Sequence, residues 1–210
     1  VRWISLYAEW QPENWPLEDQ PLQFAIPEVG LPDVDVLEGT YAIRTASDLQ
    51  VVPVNLTGLD PSYETATAET GRGDQLSYDY QDTRFAGDLR VERKTSRVSA
   101  TTLTFARLDP ETFHAHLEGV INIDGGGLRT IRVSLPEATG EDLRFRSLDR
   151  RLQIAEQQPA ADVAEGRRIW TLRFDQRYRG LVRLGVDSEM PRGDAAAFAV
   201  PDLRVLRAEG

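Results

Sequence analysis

The feature that most constrains this chain is a two-residue alternation of apolar and polar side chains, sustained through much of its length. In Arg168–Asp175 ("RIWTLRFD") Trp170, Leu172 and Phe174 fall on one face, Thr171 and Arg173 on the other. Gly180–Asp187 ("GLVRLGVD") repeats the pattern with Val182, Leu184 and Val186, and Val1–Trp10 does so with Ile4, Leu6, Ala8 and Trp10. Successive side chains of a strand point to opposite faces, so this pattern buries one face of a sheet and wets the other. A sustained 3.6-residue period is nearly absent. Clusters rich in Pro, Gly and Asp ("DPSYE", "GRGD", "LPEATGED", "EMPRGD") punctuate the alternating segments. Many short strands with turn signals between them predict an all-β fold, an antiparallel β-sandwich. Either one extended sandwich or two packed ones satisfies the pattern, with a sub-boundary near 92–100. Gln157–Glu165, short and interrupted by Pro159, is expected to be a loop with one turn.

The clearest local expectation lies in "ETFHAHLEGVINIDGGGLRTIRVSLPE". Phe113, Ala115, Leu117, Gly119, Ile121 and Ile123 form an apolar face, and Ile131, Val133 and Leu135 form another on the following segment. Pairing residue 123 with 129 aligns Ile121 with Ile131 and Leu117 with Leu135, which keeps both sets on one side. That register predicts a hairpin whose loop is Gly125-Gly126-Gly127, since glycine supplies the left-handed residue such loops need.

Charge and composition exclude several functions. A net charge of −10 over 210 residues argues against nucleic acid and against anionic membrane surfaces. Lys94 is the single lysine, and the arginines are scattered rather than gathered into a patch, a usage typical of a GC-rich bacterial gene. No apolar run approaches the roughly 20 residues of a membrane helix, so direct insertion by this segment is not expected. Without cysteine there is no disulfide framework, thiolate nucleophile or cysteine-based metal site.

Two phrases recur. Asp88-Leu89-Arg90-Val91, Asp142-Leu143-Arg144-Phe145 and Asp202-Leu203-Arg204-Val205 share a form that a turn followed by a strand would produce in any arginine-rich β-protein. "FAIPEV" from Phe24 and "FAVPDL" from Phe198 also match, each preceded by an alternating strand, an acidic residue and a proline. This second match reads as a tandem-repeat overlap between 1–29 and 181–210, or as coincidence. With Val1 opening directly on an alternating segment, residues 1–210 are expected to be one β-rich unit cut from a larger protein.

The strand "RVSATTLTF", the segment leading into "TIRVSLPE" and the close "RIWTLRF…YRGLVRLGVDSEMP…FAVP" carry a resemblance. The tract Arg97–Pro201, about half the chain, resembles β-rich modules of large, uncharacterised bacterial envelope proteins. The resemblance implies a periplasmic or cell-surface module of a multidomain chain. Its partners would be neighbouring modules of the same chain, and protein or glycan. It brings no catalytic residue with it.

Candidate chemistry is sparse. His114-x-His116-x-Glu118 places three metal-ligating types on one strand face, about 7 Å apart in succession. The alternative, which the surrounding alternation favours, is a solvated strand face. Tyr7, Trp10 and Trp15 in and near "EWQPENWP" could stack on sugars or form a lid over a sandwich core. Acidic groups at Asp33, Asp35 and Glu38, and at Asp79 and Asp82, offer hard oxygens to Ca²⁺ but lack a spacing that names a site. Neither histidine sits in a nucleophile motif. "TGRGD" and "GGG" read as turns, and Asn55 as a glycosylation acceptor only in a suitable host. The expected function is therefore a non-enzymatic structural or binding module. The alternatives are a carbohydrate-binding module using Tyr7, Trp10 and Trp15, and a metal-dependent enzyme using His114, His116 and Glu118.

Overall fold

Among the described residues the alternating segments are realised as strands, and Val1–Trp10 lies outside those residues. The computed structural model describes residues 11, 13, 20–27, 38–62, 75–81, 84–192 and 199–206. Among them every sheet is antiparallel and no α-helix occurs, so the chain is all-β and sandwich-like. No helix among the described residues is long and apolar enough to cross a membrane. The chain divides into two compact units, Val1–Lys94 and Thr95–Gly210.

The first unit contains β1 (Leu22–Ala25), β2 (Gly39–Arg44), β3 (Leu49–Thr57), β4 (Asp60–Pro61), β5 (Gln75–Tyr80) and β6 (Ala86–Arg93). They form two three-stranded sheets, ordered β1-β6-β3 and β2-β5-β4. Ile26, Leu59, Tyr78, Phe85 and Leu89 supply the buried core, with the Tyr41 and Tyr80 rings 5.7 and 5.1 Å from that of Phe85.

The second unit contains β7 (Arg97–Leu108), β8 (Thr112–Pro136), β9 (Phe145–Ser147), β10 (Ile154–Ala164), β11 (Arg167–Pro191) and β12 (Arg204–Leu206), with one 3₁₀ turn at Glu137–Thr139. Its six-stranded sheet runs β10-β11-β8-β12, with β7 added to β8 and β9 to β11. β8 and β11, 25 residues each, pair along almost their whole length, from Arg167 opposite Pro136 to Pro191 opposite Thr112. The expected inward sets are all buried: Trp170, Leu172 and Phe174, Val182, Leu184 and Val186, and Phe113 through Ile123 at odd positions. Leu117, Ile121, Ile123, Ile131, Val133 and Leu135 are fully excluded from solvent.

Two local expectations are overturned. Gly125-Gly126-Gly127 is not a hairpin loop, because Thr112–Pro136 is one strand with both halves on β11. The glycines instead form a bend: Gly125 has φ +81° and Gly127 φ +72°, and the register shifts opposite them between Arg173 and Gly180. Positive-φ glycines build a bulge as readily as a loop. Bent this way, the odd residues of both halves line one core, which satisfies the same parity that suggested a hairpin. Gln157–Glu165 is not a loop either; its residues lie almost wholly in β10, with Pro159 opposite Trp170. Among the described residues β10 is an edge strand, where a proline costs no ladder hydrogen bond on its outer side. Ala164 pairs with Arg167 across Glu165 (φ 53°) and Gly166 (φ 69°), the two left-handed residues of a tight type I′ hairpin.

Candidate functional site

The polar counterpart of this core is the outer face of β7, β8, β11 and β9. Residues directly opposite in an antiparallel ladder share a face, so the register writes out its rows. Arg107, His114 and Glu189 form one row, and Phe105, His116 and Asp187 the next. Leu103, Glu118, Gly185 and Arg146 form a third.

His114, His116 and Glu118 therefore do share the face that alternation assigns them, and their partners come from other strands. His116 Nδ1 lies 2.6 Å from Asp187 Oδ1, and its Nε2 lies 3.2 Å from Glu118 Oε1. Each carboxylate holds an arginine with its second oxygen: Arg146 donates to Asp187 Oδ2 at 2.8 Å and Arg183 to Glu118 Oε2 at 2.8 Å. The Arg183 guanidinium, and after it the His116 ring, hold the Glu118 carboxyl below its ordinary range. His114 stands apart, 3.3 Å from Asp109 and 3.7 Å from Glu189. Phe105 stacks on the His116 ring at 6.1 Å between centroids. A Cβ at Gly185 would come within 3.3 Å of His116 Cε1, so the missing side chain leaves the imidazole its place.

A metal needs donors that converge on one point. The two nitrogens of His116 point in opposite directions, each at its own carboxylate, and no group of three or more His, Cys, Asp or Glu side chains among the described residues is arranged to hold an ion. What the face does present is an open groove of about 850 Å³ lined by Phe105, His114, His116, Glu141, Asp187 and Glu189 among others. The β7 side supplies Phe105 and Arg107, and the β11 side supplies Asp187 and Glu189.

A second polar anchor ties the C-terminal segment down. Arg167 donates to Ser134 Oγ (3.2 Å) and Ser134 O (3.0 Å), and to Asp202 Oδ1 (2.6 Å) and Asp202 O (2.8 Å). Arg167, and next Arg204, keep the Asp202 carboxyl below its usual range. The adjoining Leu203 is buried in the core of the second unit.

Tyr7, Trp10 and Trp15 lie outside the described residues, as do Asp33, Asp35, Asp82, the Arg72-Gly73-Asp74 triplet and Phe198. Glu38 is exposed, and Asp79 accepts from Thr40 Oγ1 at 3.0 Å. Asn55 takes a left-handed φ of 52° beside a register shift in β3, a conformation asparagine tolerates better than most residues. The residues that sequence reasoning missed are Asp109, Arg146, Arg183, Asp187 and Glu189. For Arg183, Asp187 and Glu189 the signal was the polar half of "GLVRLGVDSE", whose acids complement the two histidines once β11 is laid on β8.

No protein-family model matches the chain, and searches of curated proteins and of solved structures return no match.

Proposed function

We propose that this chain is a non-enzymatic structural and binding module of a larger bacterial envelope or surface protein, with the outer-face groove as its contact surface. The supporting observation is the chain of pairings Arg146–Asp187–His116–Glu118–Arg183. General acid–base catalysis needs a group within reach of a substrate proton. In this ladder both nitrogens of His116 already face carboxylates, and each carboxylate is bridged to an arginine. Such a lattice stiffens a face and holds the His116 ring on which Phe105 stacks. A stiff, half-polar groove suits recognition, and neighbouring modules or surface glycans are the partners consistent with its chemistry.

The test is an array of bacterial surface glycans and envelope peptides probed with the chain and with His114→Ala and Glu189→Ala variants. Retention of an unaltered ligand, weakened in both variants, is the expected result. Turnover of any arrayed compound by the parent chain, abolished in the variants, overturns the non-enzymatic reading.

A further inference from the structure

The second unit has two long edge strands among the described residues, and they are built in opposite ways. β10 carries the usual protections of an edge: Glu156 and Pro159, and two register shifts against β11. The middle of β7 carries none of them. From Val98 to Ala106 ("VSATTLTFA") it contains no charge, proline or glycine, and it pairs with β8 without a register shift from Arg97 to Leu108. At 12 residues it extends for about 40 Å. Among the described residues β8 is its sole strand partner. Its large apolar side chains stand in solvent: Leu103 is 44% exposed, Leu108 51% and Phe105 57%. A β-former with a nine-residue uncharged middle, unpaired on one edge among the described residues, is a template for strand addition.

We infer that β7 pairs with β7 of a second copy of this chain, antiparallel, about a two-fold axis at Leu103. The charges at its ends select the occupant and the register. Centred on Leu103, the pairing sets Leu103 against its own copy and Phe105 against Thr101. It also sets Ala106 against Ala100, Leu108 against Val98, and Arg97 against Asp109 just past the strand. Every apolar residue meets an apolar residue or a threonine, and each end brings Arg97 to an Asp109 that already pairs with Arg107 at 2.9 Å and lies 3.3 Å from His114. Arg97 has no ion-pair partner of its own among the described residues. Shifting the axis by one residue to Thr102 puts Arg107 opposite Arg97, and like charges directly opposite destabilise a strand pair. A two-fold pairing uses each edge once and closes the assembly. The outer faces of the two copies would then form one sheet, with the two grooves on the same side.

The test uses the full 210-residue chain, which contains no cysteine. Sedimentation from about 1 to 200 µM is expected to show a monomer–dimer equilibrium, a range suited to an interface smaller than a standard one. Leu103→Lys, which opposes two ammonium groups across the axis, raises the dimer dissociation constant about tenfold or more. Because the side chain is exposed, the circular dichroism of this variant matches that of the parent. On mild oxidation Leu103→Cys forms a disulfide-linked dimer, whereas Gln158→Cys on the protected edge does not. Monomer at all concentrations, dimer undiminished in Leu103→Lys, equal cross-linking at both edges, or open-ended oligomers would each overturn the pairing.

Discussion

The two faces of the β8–β11 ribbon are written by the same alternation and held by different forces. On the inner face Leu117, Ile121, Leu172, Phe174 and Val186 are all wholly buried, and their neighbours are set by volume. On the outer face Asp187 and Arg146 are each 55% exposed, and their neighbours are set by charge and hydrogen-bond direction. Apolar burial contributes about 25 cal/mol per Å² removed from water, whereas exposed ion pairs are worth about 0–1 kcal/mol. The inner face thus supplies most of the stability. The outer face adds little to it and instead fixes which polar groups stand where.

Substitutions on each face measure that contrast. The largest effect is expected at Phe174, whose ring meets Tyr178 edge-on at 5.6 Å inside the core. Phe174→Ala should cost about 3–5 kcal/mol in urea unfolding followed by tryptophan fluorescence, with buried Trp170 as a nearby reporter. A cost under 1 kcal/mol would erase the distinction between the faces.

Next comes the bend that brings the two halves of the inner face together. A Cβ on Gly125 would lie 2.3 Å from the Thr95 carbonyl oxygen, on a residue whose φ is +81°. Gly125→Ala should therefore cost roughly 2–3 kcal/mol, and thermal unfolding would show it as a lowered midpoint.

Arg167 stands between the extremes, with a side chain 14% exposed and two residues to hold. Arg167→Ala should cost about 1–3 kcal/mol, towards the lower end because Asp202 is half-exposed and the ion pair is screened. It also carries a pH signature. Asp202 has a folded pKa below its unfolded value, so its contribution is present above the ordinary aspartate range and is lost as pH falls through the folded value. Unfolding between about pH 5 and pH 2 should show a steeper acid loss in the parent than in Arg167→Ala. Parallel curves would remove Asp202 from the account.

The smallest effect is expected on the outer face. Arg146→Ala should change stability by less than about 1 kcal/mol, and raising the salt concentration should narrow even that difference. A cost of 3 kcal/mol would show that the ladder is a structural element in its own right.

Much of this was legible in the residues. Alternation located β8 and β11 and sorted their side chains correctly into buried and wet, whereas β10 was read as a loop. The recurrent Asp-Leu-Arg-apolar phrase carries the same information in miniature: Leu89 and Val91, Leu143 and Phe145, and Leu203 are all buried. The common face of His114, His116 and Glu118 was likewise readable. Their surroundings were not, because Asp187 reaches His116 from 71 residues away and Arg183 reaches Glu118 from 65. The tight turn at Glu165–Gly166 escaped notice because Pro159 broke the strand pattern just before it, and only the sheet shows that β10 lies at an edge.

The Gly125–Gly127 segment shows where sequence reasoning stops. The residues alone determined that this chain forms strands, which side of β8 and of β11 is buried, and that the backbone must turn sharply at the glycines. All of these are local consequences of the pleat and of positive φ. Tertiary structure decided that the turn is a bend rather than a hairpin, and that β11 rather than the strand's own second half lies against it. Parity restricts which residues can share a face but is blind to the identity of the partner strand. A long strand that pairs along both halves and folds their apolar sides onto one core removes more surface from water than a short internal hairpin does.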